Sequence, residues 1–401
     1  MTRTRWLQVL GGGPWQIDTV RCAQGLGYKV LVTDMYPDAA AYAIADAHEV
    51  VNVVDLEATL RVAESHRIDG IIADTSDVSV PTAAFVAERL GLPGIGYETA
   101  LNCTNKARLR ECCAAAGLQV PDYCVTDGAL PRLSTPGLPV IVKPTDNQSG
   151  RGVSIVRSAS DLDEAVDTAR RFSRSGKVLV ERLLAGTEVI VDGIVLDGEP
   201  TVLGISNKSP NAENPTVSTS IAYPADLAPS TLDLIRVTNR RALNALGLRR
   251  GPFHAEYFVT QDAVIPIDIA ARGGGVHIYR LVIPHVSGFD LPVAAVRLAL
   301  GERVQLTPRA TSRAAVVEFL QAPPGVIRRI RGVADAESVP GIAIVYLRVA
   351  PGDVVRPLCD KDARPGHLVA FGESLSEARE RAALARELIR FDVDPTENQA
   401  T

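Results

Sequence analysis

The sequence predicts an α/β fold of more than one domain, and three stretches carry that reading. Residues 6–26 run strand, glycine turn, helix. Residues 59–94 repeat the alternation of helix and strand. Residues 254–275, HAEYFVTQDAVIPIDIAARGGG, read as two strands joined by a short turn and closed by a glycine run. At 401 residues the chain has room for two or three domains. A formal net charge of −5 with no long run of like charge marks no nucleic-acid or membrane surface. The cysteines (Cys22, Cys103, Cys112, Cys113, Cys124 and Cys359) show neither CxxC pairing nor metal-ligand spacing, which fits a reducing cytoplasm and disfavours zinc. The start, MTRTRWLQVLGGG, enters a strand with no h-region long enough for secretion, and no apolar run approaches a membrane span. A soluble cytoplasmic protein is expected.

The first unit places a strand over Trp6–Leu10, a turn over Gly11-Gly12-Gly13-Pro14-Trp15-Gln16 and a helix over about Ile17–Leu26, the opening of a doubly wound domain. A dinucleotide fingerprint needs glycine where Gln16 stands, so a dehydrogenase is disfavoured. The strand Lys29–Thr33 ends in Asp34, which either holds a ribose or ties down its own loop. A helix over Thr59–His66, a strand over Gly70–Ala73 and a helix over Val80–Leu90 follow, closed by Gly91-Leu92-Pro93-Gly94.

Asn105 opens a helix that runs to Ala116 and stops at Gly117. Lys106 in its first turn opposes the helix dipole, which is tolerable if it reaches a phosphate or stays solvated. The strand Leu138–Pro144 carries Lys143 near its end and feeds Asp146-Asn147-Gln148-Ser149-Gly150-Arg151-Gly152-Val153. Such a loop either nests phosphate oxygens on its N–H groups or simply turns a hairpin. It is not a Walker loop, because no GK[ST] follows. After a helix over Asp161–Phe172, two strands span residues 177–195. In the bend between them the backbone at Arg182 and Leu183 can meet an adenine edge, and Glu188 can take ribose hydroxyls. Asp192 either shares that face or is a surface acid. A strand ends at Ser206-Asn207-Lys208, and residues 209–226 read as one long, polar, proline-bearing loop suited to substrate.

In residues 254–275, Glu256 and Asp268 fall side by side in a hairpin with Arg272 just beyond, either a metal-phosphate site or a hairpin with solvated acids. Hard oxygen ligands suit Mg²⁺. His254 shares the face of Glu256 and either orients it or is structural. His277, past the glycines, is a candidate for a substrate carboxylate.

The order Lys106, Lys143 with its glycine loop, Glu181 to Glu188, and Glu256/Asp268/Arg272 resembles the ATP-grasp superfamily over most of the chain. The resemblance implies an ATP-grasp fold: an N-terminal α/β domain (residues 1–103), a lid region with the glycine loop (104–182), a central catalytic subdomain (183–308) and a C-terminal α+β ligase-type domain (309–401). It implies Lys106, Lys143, Ser149, Gly150, Gly152, Val153, Glu181, Leu183, Glu188 and Lys208 as nucleotide contacts, with Glu181 and Leu183 at the adenine hinge. Glu256 and Asp268 become ligands of Mg²⁺ or Mn²⁺, and Arg272 steadies the reacting phosphoryl group. Many relatives read Glu-x-Asn where this chain has Asp268-Ile269-Ala270, and alanine cannot ligate. That variant, the following Ala271-Arg272-Gly273-Gly274-Gly275, and the stretches Leu320–Val326 and Arg364–Gly372 are similar to the L-amino-acid ligase and carnosine-synthase-like branch. A Glu-x-Gly-His element of some members is missing from Thr216–Pro224. What the branch implies is an amide bond made through an acyl phosphate, with ATP, a small carboxylate and an amine (amino acids) as substrates and a homodimer as the assembly. Gly274, His277, Ser220 and Arg272 would face substrate. The alternative is an ATP-grasp carboxylase or purine-pathway ligase acting on bicarbonate or another small carboxylate.

Overall fold

The computed structural model describes residues 3–128, 136–307 and 313–395. It begins with β1 (Trp6–Leu10), α1 (Ile17–Gly25), β2 (Lys29–Asp34), β3 (Ala47–Val50), α2 (Leu56–His66), β4 (Gly70–Ile72) and α3 (Val80–Arg89). The four strands form a parallel sheet in the order β3-β2-β1-β4, with Leu7, Val9, Val30 and Val32 fully buried. Strands covered on both faces need apolar side chains on both, which is why they read as continuous hydrophobic runs. Asp34 ties down its own loop, since its carboxylate accepts the Gly12 and Tyr36 N–H groups at 2.6 and 3.0 Å. Gln16, where a fingerprint glycine would stand, is buried and donates to Asp74 at 3.0 Å.

α4 (Tyr97–Thr104) and α5 (Lys106–Ala115) follow. The Asn105 side chain caps α5 by accepting from the Ala107 and Arg108 N–H groups. α5 packs on the central body rather than in the lid, although the sequence placed it with residues 104–182. The lid is the antiparallel sheet β5-β8-β6-β7, built from β5 (Tyr123–Thr126), β6 (Val140–Pro144), β7 (Ser154–Val156) and β8 (Val178–Arg182). One helix, α6 (Leu162–Phe172), covers it by burying Ala165, Val166 and Ala169 against Val140, Val142 and Val180.

The central body contains β9 (Thr187–Leu196), β10 (Glu199–Pro210), β11 (Ser218–Tyr223), α7 (Pro229–Leu246), β12 (Gly251–Val259), β13 (Val264–Ala270), α8 (Ile283–Ser287) and α9 (Leu291–Ala299). The C-terminal part adds β14 (Ala314–Phe319), β15 (Gly325–Arg331), α10 (Val333–Glu337), β16 (Ile342–Leu347), β17 (Val354–Val355), β18 (Gly366–Gly372), α11 (Leu375–Leu388) and β19 (Arg390–Asp394). One antiparallel sheet, β13-β12-β9-β10-β11-β14-β18-β16, runs through both, and β17-β15-β19 form a small separate sheet. The domain limit expected at 308/309 lies outside the described residues. α11 seats Ala378, Ala382 and Ala385 against the large sheet.

The long loop expected over 209–226 is corrected. β10 continues to Pro210 and β11 occupies 218–223, pairing with both β10 and β14. The polar Ser-Thr-Ser start of β11 hid a strand whose ladder is satisfied on both sides and whose Ala222 and Tyr223 are buried. No single helix among the described residues is long and apolar enough to cross a membrane.

Candidate functional site

A cavity of about 870 Å³ lies where the lid, the large sheet and the N-terminal domain meet. Its floor is the β12–β13 hairpin, in which Glu256 and Asp268 are direct cross-strand partners and therefore share a face. Two carboxylates so placed repel unless cations intervene. Lys106 sits 3.0 Å from Asp268, while Lys208 and Lys361 sit 3.4 and 3.6 Å from Glu256. Burial would raise both acids, but Lys208 and then Lys361 hold Glu256 well below the ordinary carboxylate range, and Lys106 lowers Asp268. Lys208 also pairs with Glu188.

Lys106 is more than a counter-ion. It donates to the Asn147 carbonyl at 2.9 Å and so links β13 to the glycine loop. From the lid side, Lys143 enters the cavity paired with Glu181, whose carboxylate also takes the Arg110 guanidinium at 3.0 and 3.2 Å. Desolvation pushes Lys143 down despite Glu181, whereas Arg110 and Lys143 together overcome burial to lower Glu181. The side chain of Glu181 therefore positions Lys143 from below. The adenine-hinge assignment needs correction at one atom: the Leu183 N–H donates to the Pro139 carbonyl at 3.0 Å and the Arg182 N–H to Asp122 at 2.9 Å. The next amide along the bend belongs to Leu184, which lines the cavity.

Arg272 does not face the two acids through open space, as the sequence suggested. Its guanidinium grips Asp77 bidentately at 2.6 and 2.8 Å and donates to the Gly273 carbonyl at 2.7 Å. Ser149, Gly150 and Val153 line the cavity. Gly152 does not, and its glycine is explained by Phe172, which a Cβ would meet at 2.9 Å. Ser220 is also absent from the wall, where Ser218 stands instead. Gly274 and His277 line a neighbouring cavity of about 500 Å³. His254 contacts buried Asp192 at 2.8 Å, and Asp192 accepts the Tyr223 hydroxyl at 2.5 Å. Asp192 is thus neither a surface acid nor part of the cavity wall. The residues fit Mg²⁺ by chemistry: two ionised carboxylates on one face, here paired with Lys106, Lys208 and Lys361, match its usual use of one or two protein carboxylates.

Several functional groups escaped the sequence reading. Asp77 lies just past the carboxyl end of β4, where open parallel sheets bind ligands, and that position was a usable signal. Arg110 lies four residues after Lys106 on one helix, a readable spacing. Lys361, Asp362 and Arg364 come from a turn with no periodicity to betray it. Arg364 is 6% exposed, lies 3.5 Å over the Phe319 ring and donates to the Ser218 carbonyl at 2.7 Å. His367 meets His277 across 2.8 Å, and burial lowers the two to about 3 and about 4. The backbone strains to bring this pair together, since Val276 and His277 both have positive φ, at 48° and 64°.

Known proteins agree with this layout. The ATP-grasp domain family matches residues 136–279, and the family described as L-amino acid ligase C-terminal domain 2 matches residues 318–394. A formate-dependent phosphoribosylglycinamide formyltransferase of Synechococcus sp. (strain CC9311) is 30% identical over 297 residues, covering 72% of this chain and 76% of the relative. The crystal structure of an L-amino acid ligase from Bacillus licheniformis superposes with a TM-score of 0.83 at 21% identity, over 98% of this chain and 100% of that one. N5-carboxyaminoimidazole ribonucleotide synthetase from Thermotoga maritima gives 0.74 at 18% identity, over 98% of this chain and 100% of that one. The chain belongs to the ATP-grasp ligase family and carries the C-terminal domain found in L-amino acid ligases.

Proposed function

We propose that the chain joins a small carboxylate to an amine, both amino acids, at the expense of ATP. The observation that carries this is the Glu256–Asp268 pair, opposed in one hairpin, held ionised by lysines and roofed by Lys143 and the glycine loop. Glu256 and Asp268 would hold Mg²⁺, or Mn²⁺ in its place, and the ion would supply charge neutralisation across the phosphates. Lys106 and Lys143 bind phosphate oxygens, Ser149, Gly150 and Val153 cover them, the bend at Leu184 meets the adenine, and Glu188 with Lys208 flanks the ribose.

In the first step a carboxylate oxygen attacks the γ-phosphorus and the bond to ADP breaks, leaving an acyl phosphate. Positioning and electrostatics supply most of the catalysis in such a transfer. Arg272, already oriented by Asp77, faces the charge that develops. An amine that has lost its proton then attacks the carbonyl carbon, and the bond from that carbon to the phosphate oxygen breaks. The lid closes against water because an exposed acyl phosphate hydrolyses.

The amino-acid reading is favoured by the match at residues 318–394 and by Ala270, which takes the place of a ligating asparagine. The relatives named as formate-dependent formyltransferases favour a second reading, activation of formate or bicarbonate for a purine-pathway amine. ADP release across pairs of amino acids, with mass detection of the product, separates the two. An amide formed only when both amino acids are present supports the proposal, whereas ADP release with formate or bicarbonate alone supports the rival. A homodimer belongs to the same proposal and is checked by light scattering.

A further inference from the structure

The second cavity, of about 500 Å³, lies on the far side of Trp15 from the first and shares Trp15, Thr75 and Gly275 with it. Part of its wall comes from α1 and the start of α9, elements that contribute nothing to the nucleotide side. Tyr279 stands in this wall. It is 4% exposed, and among the described residues its hydroxyl has no hydrogen-bond partner. A buried hydroxyl left unpaired is costly, and folded proteins rarely keep one without a use.

The charges around it give the sign of what it would meet. Asp18, Asp74 and Asp290 line the cavity against Arg21 and Arg280, and Arg280 is already paired with Asp18. Asp74 is fixed by Gln16, Thr19 and Thr75, and Asp290 caps α9 through the Val293 N–H at 3.1 Å. Their negative charge stays in the wall, and the neutral His277 beside them adds nothing to offset it. Such a wall concentrates cations and stabilises an ammonium group.

We infer that this second cavity is the binding site of the amine substrate, a primary amine taken up as its ammonium form, with the Tyr279 side chain turning its hydroxyl oxygen, sealed from solvent in this structure, to accept one of its N–H bonds. The inference rests on the proposed ligase reaction and deepens it, because the two substrates would reach the reacting centre by separate ports. Nucleotide and carboxylate would use the large cavity, and the amine would pass the Trp15–Gly275 seam from the second. The His277–His367 contact packs against Trp15 at that seam, so the rings that separate the cavities are uncharged.

Trp15 touches both cavities and the chain has only one other tryptophan, so a Trp6→Phe background makes Trp15 the sole fluorescent reporter. The full chain is titrated, without nucleotide, with each of the twenty amino acids and with propionate as the amine-free control. At least one amino acid is expected to give a saturable change, and propionate none. Adding Tyr279→Phe weakens that affinity roughly tenfold, the loss of one hydrogen bond to a charged group. Val293→Phe, at a position lining only the second cavity, weakens it as well. No response to any amino acid, a response matched by propionate, or an affinity unchanged in both variants overturns the inference. Binding is read here without turnover. A chain that binds an amino acid at Tyr279 but ligates nothing therefore sinks the proposed reaction and leaves this site standing.

Discussion

Each acid in the site has a basic partner, and the partners decide what a substitution does. Replacing Lys143, Glu256 or Arg272 by alanine is expected to abolish substrate-dependent ADP formation while leaving a folded protein, as circular dichroism would confirm. Full turnover in any of the three contradicts the role given to it. Glu181→Gln is a subtler case, because Glu181, although part of the cavity wall, is buried and spends its carboxylate on Lys143 and Arg110. Removing its charge leaves two buried cations facing each other, so both nucleotide KM and stability should suffer, by about 3 kcal/mol in the latter. Arg110→Met made together with Glu181→Gln should recover part of that loss in a chemical denaturation series. At this scale the sequence was informative wherever chemistry and spacing coincide, as at Lys106, Lys143, Glu256 and Asp268. It gave no role to Lys361 or Arg364, whose turn carries no pattern, and it did not show that the Pro139 carbonyl takes the Leu183 amide, since the use of one backbone amide is not written in side-chain identities.

Among the elements, the glycine loop and the 360–364 turn act as one piece. Arg151 pairs with Asp362 at 2.6 Å, the Lys361 N–H donates to the Ser149 carbonyl at 3.2 Å, and Arg348 reaches Asp362 at 3.2 Å. The Arg151 side chain is 40% exposed, so the pair is worth at most ~1 kcal/mol, and Asp362→Asn should raise the KM for ATP by about fivefold. An unchanged KM would show that the loop closes without this latch. The bend between β8 and β9 depends on Gly186, at φ 153°, where a Cβ would meet the Val259 carbonyl oxygen at 2.3 Å. Gly186→Ala should cost roughly 1–3 kcal/mol and lower Tm by several degrees in a thermal melt. The helices α1, α2, α3, α5 and α6 and the buried parallel strands β1, β2 and β4 were legible from their apolar patterns, whereas α4, α7 and α9 were not read. β11 was not, because a strand flanked on both sides can afford polar side chains that read as loop.

Across the molecule, one cavity is walled by residues from every layer, from Gln16 and Asp77 at the start to Lys361 and His367 near the end. Its pH response follows from the buried imidazoles. Burial lowers His277 to about 4 and His367 to about 3, so the fold keeps them neutral where an unfolded chain would protonate them below pH 6.5. The stability they contribute is full above pH 6.5 and drains away as pH falls toward those values, at about 1.4 kcal/mol per pH unit for each imidazole. Denaturation midpoints between pH 6.5 and 4.5 should therefore fall, and His277→Gln with His367→Gln should flatten that slope. The lowered carboxyls of Glu256 and Asp268 add their own loss, in the same direction, only at more acid pH. The sequence conveyed the superfamily-level order of these parts but not their convergence, because contacts between Arg272 and Asp77, or His277 and His367, join positions far apart in the chain.

All of this turns on whether a carboxylate attacks the γ-phosphate of ATP. The most direct measurement uses a substrate carboxylate labelled with ¹⁸O in both oxygens, followed by mass analysis of the phosphate released during amide formation. An acyl phosphate route carries a single ¹⁸O into each phosphate, with ADP as the other nucleotide product. Unlabelled phosphate, or label appearing in AMP with release of pyrophosphate, would contradict the account.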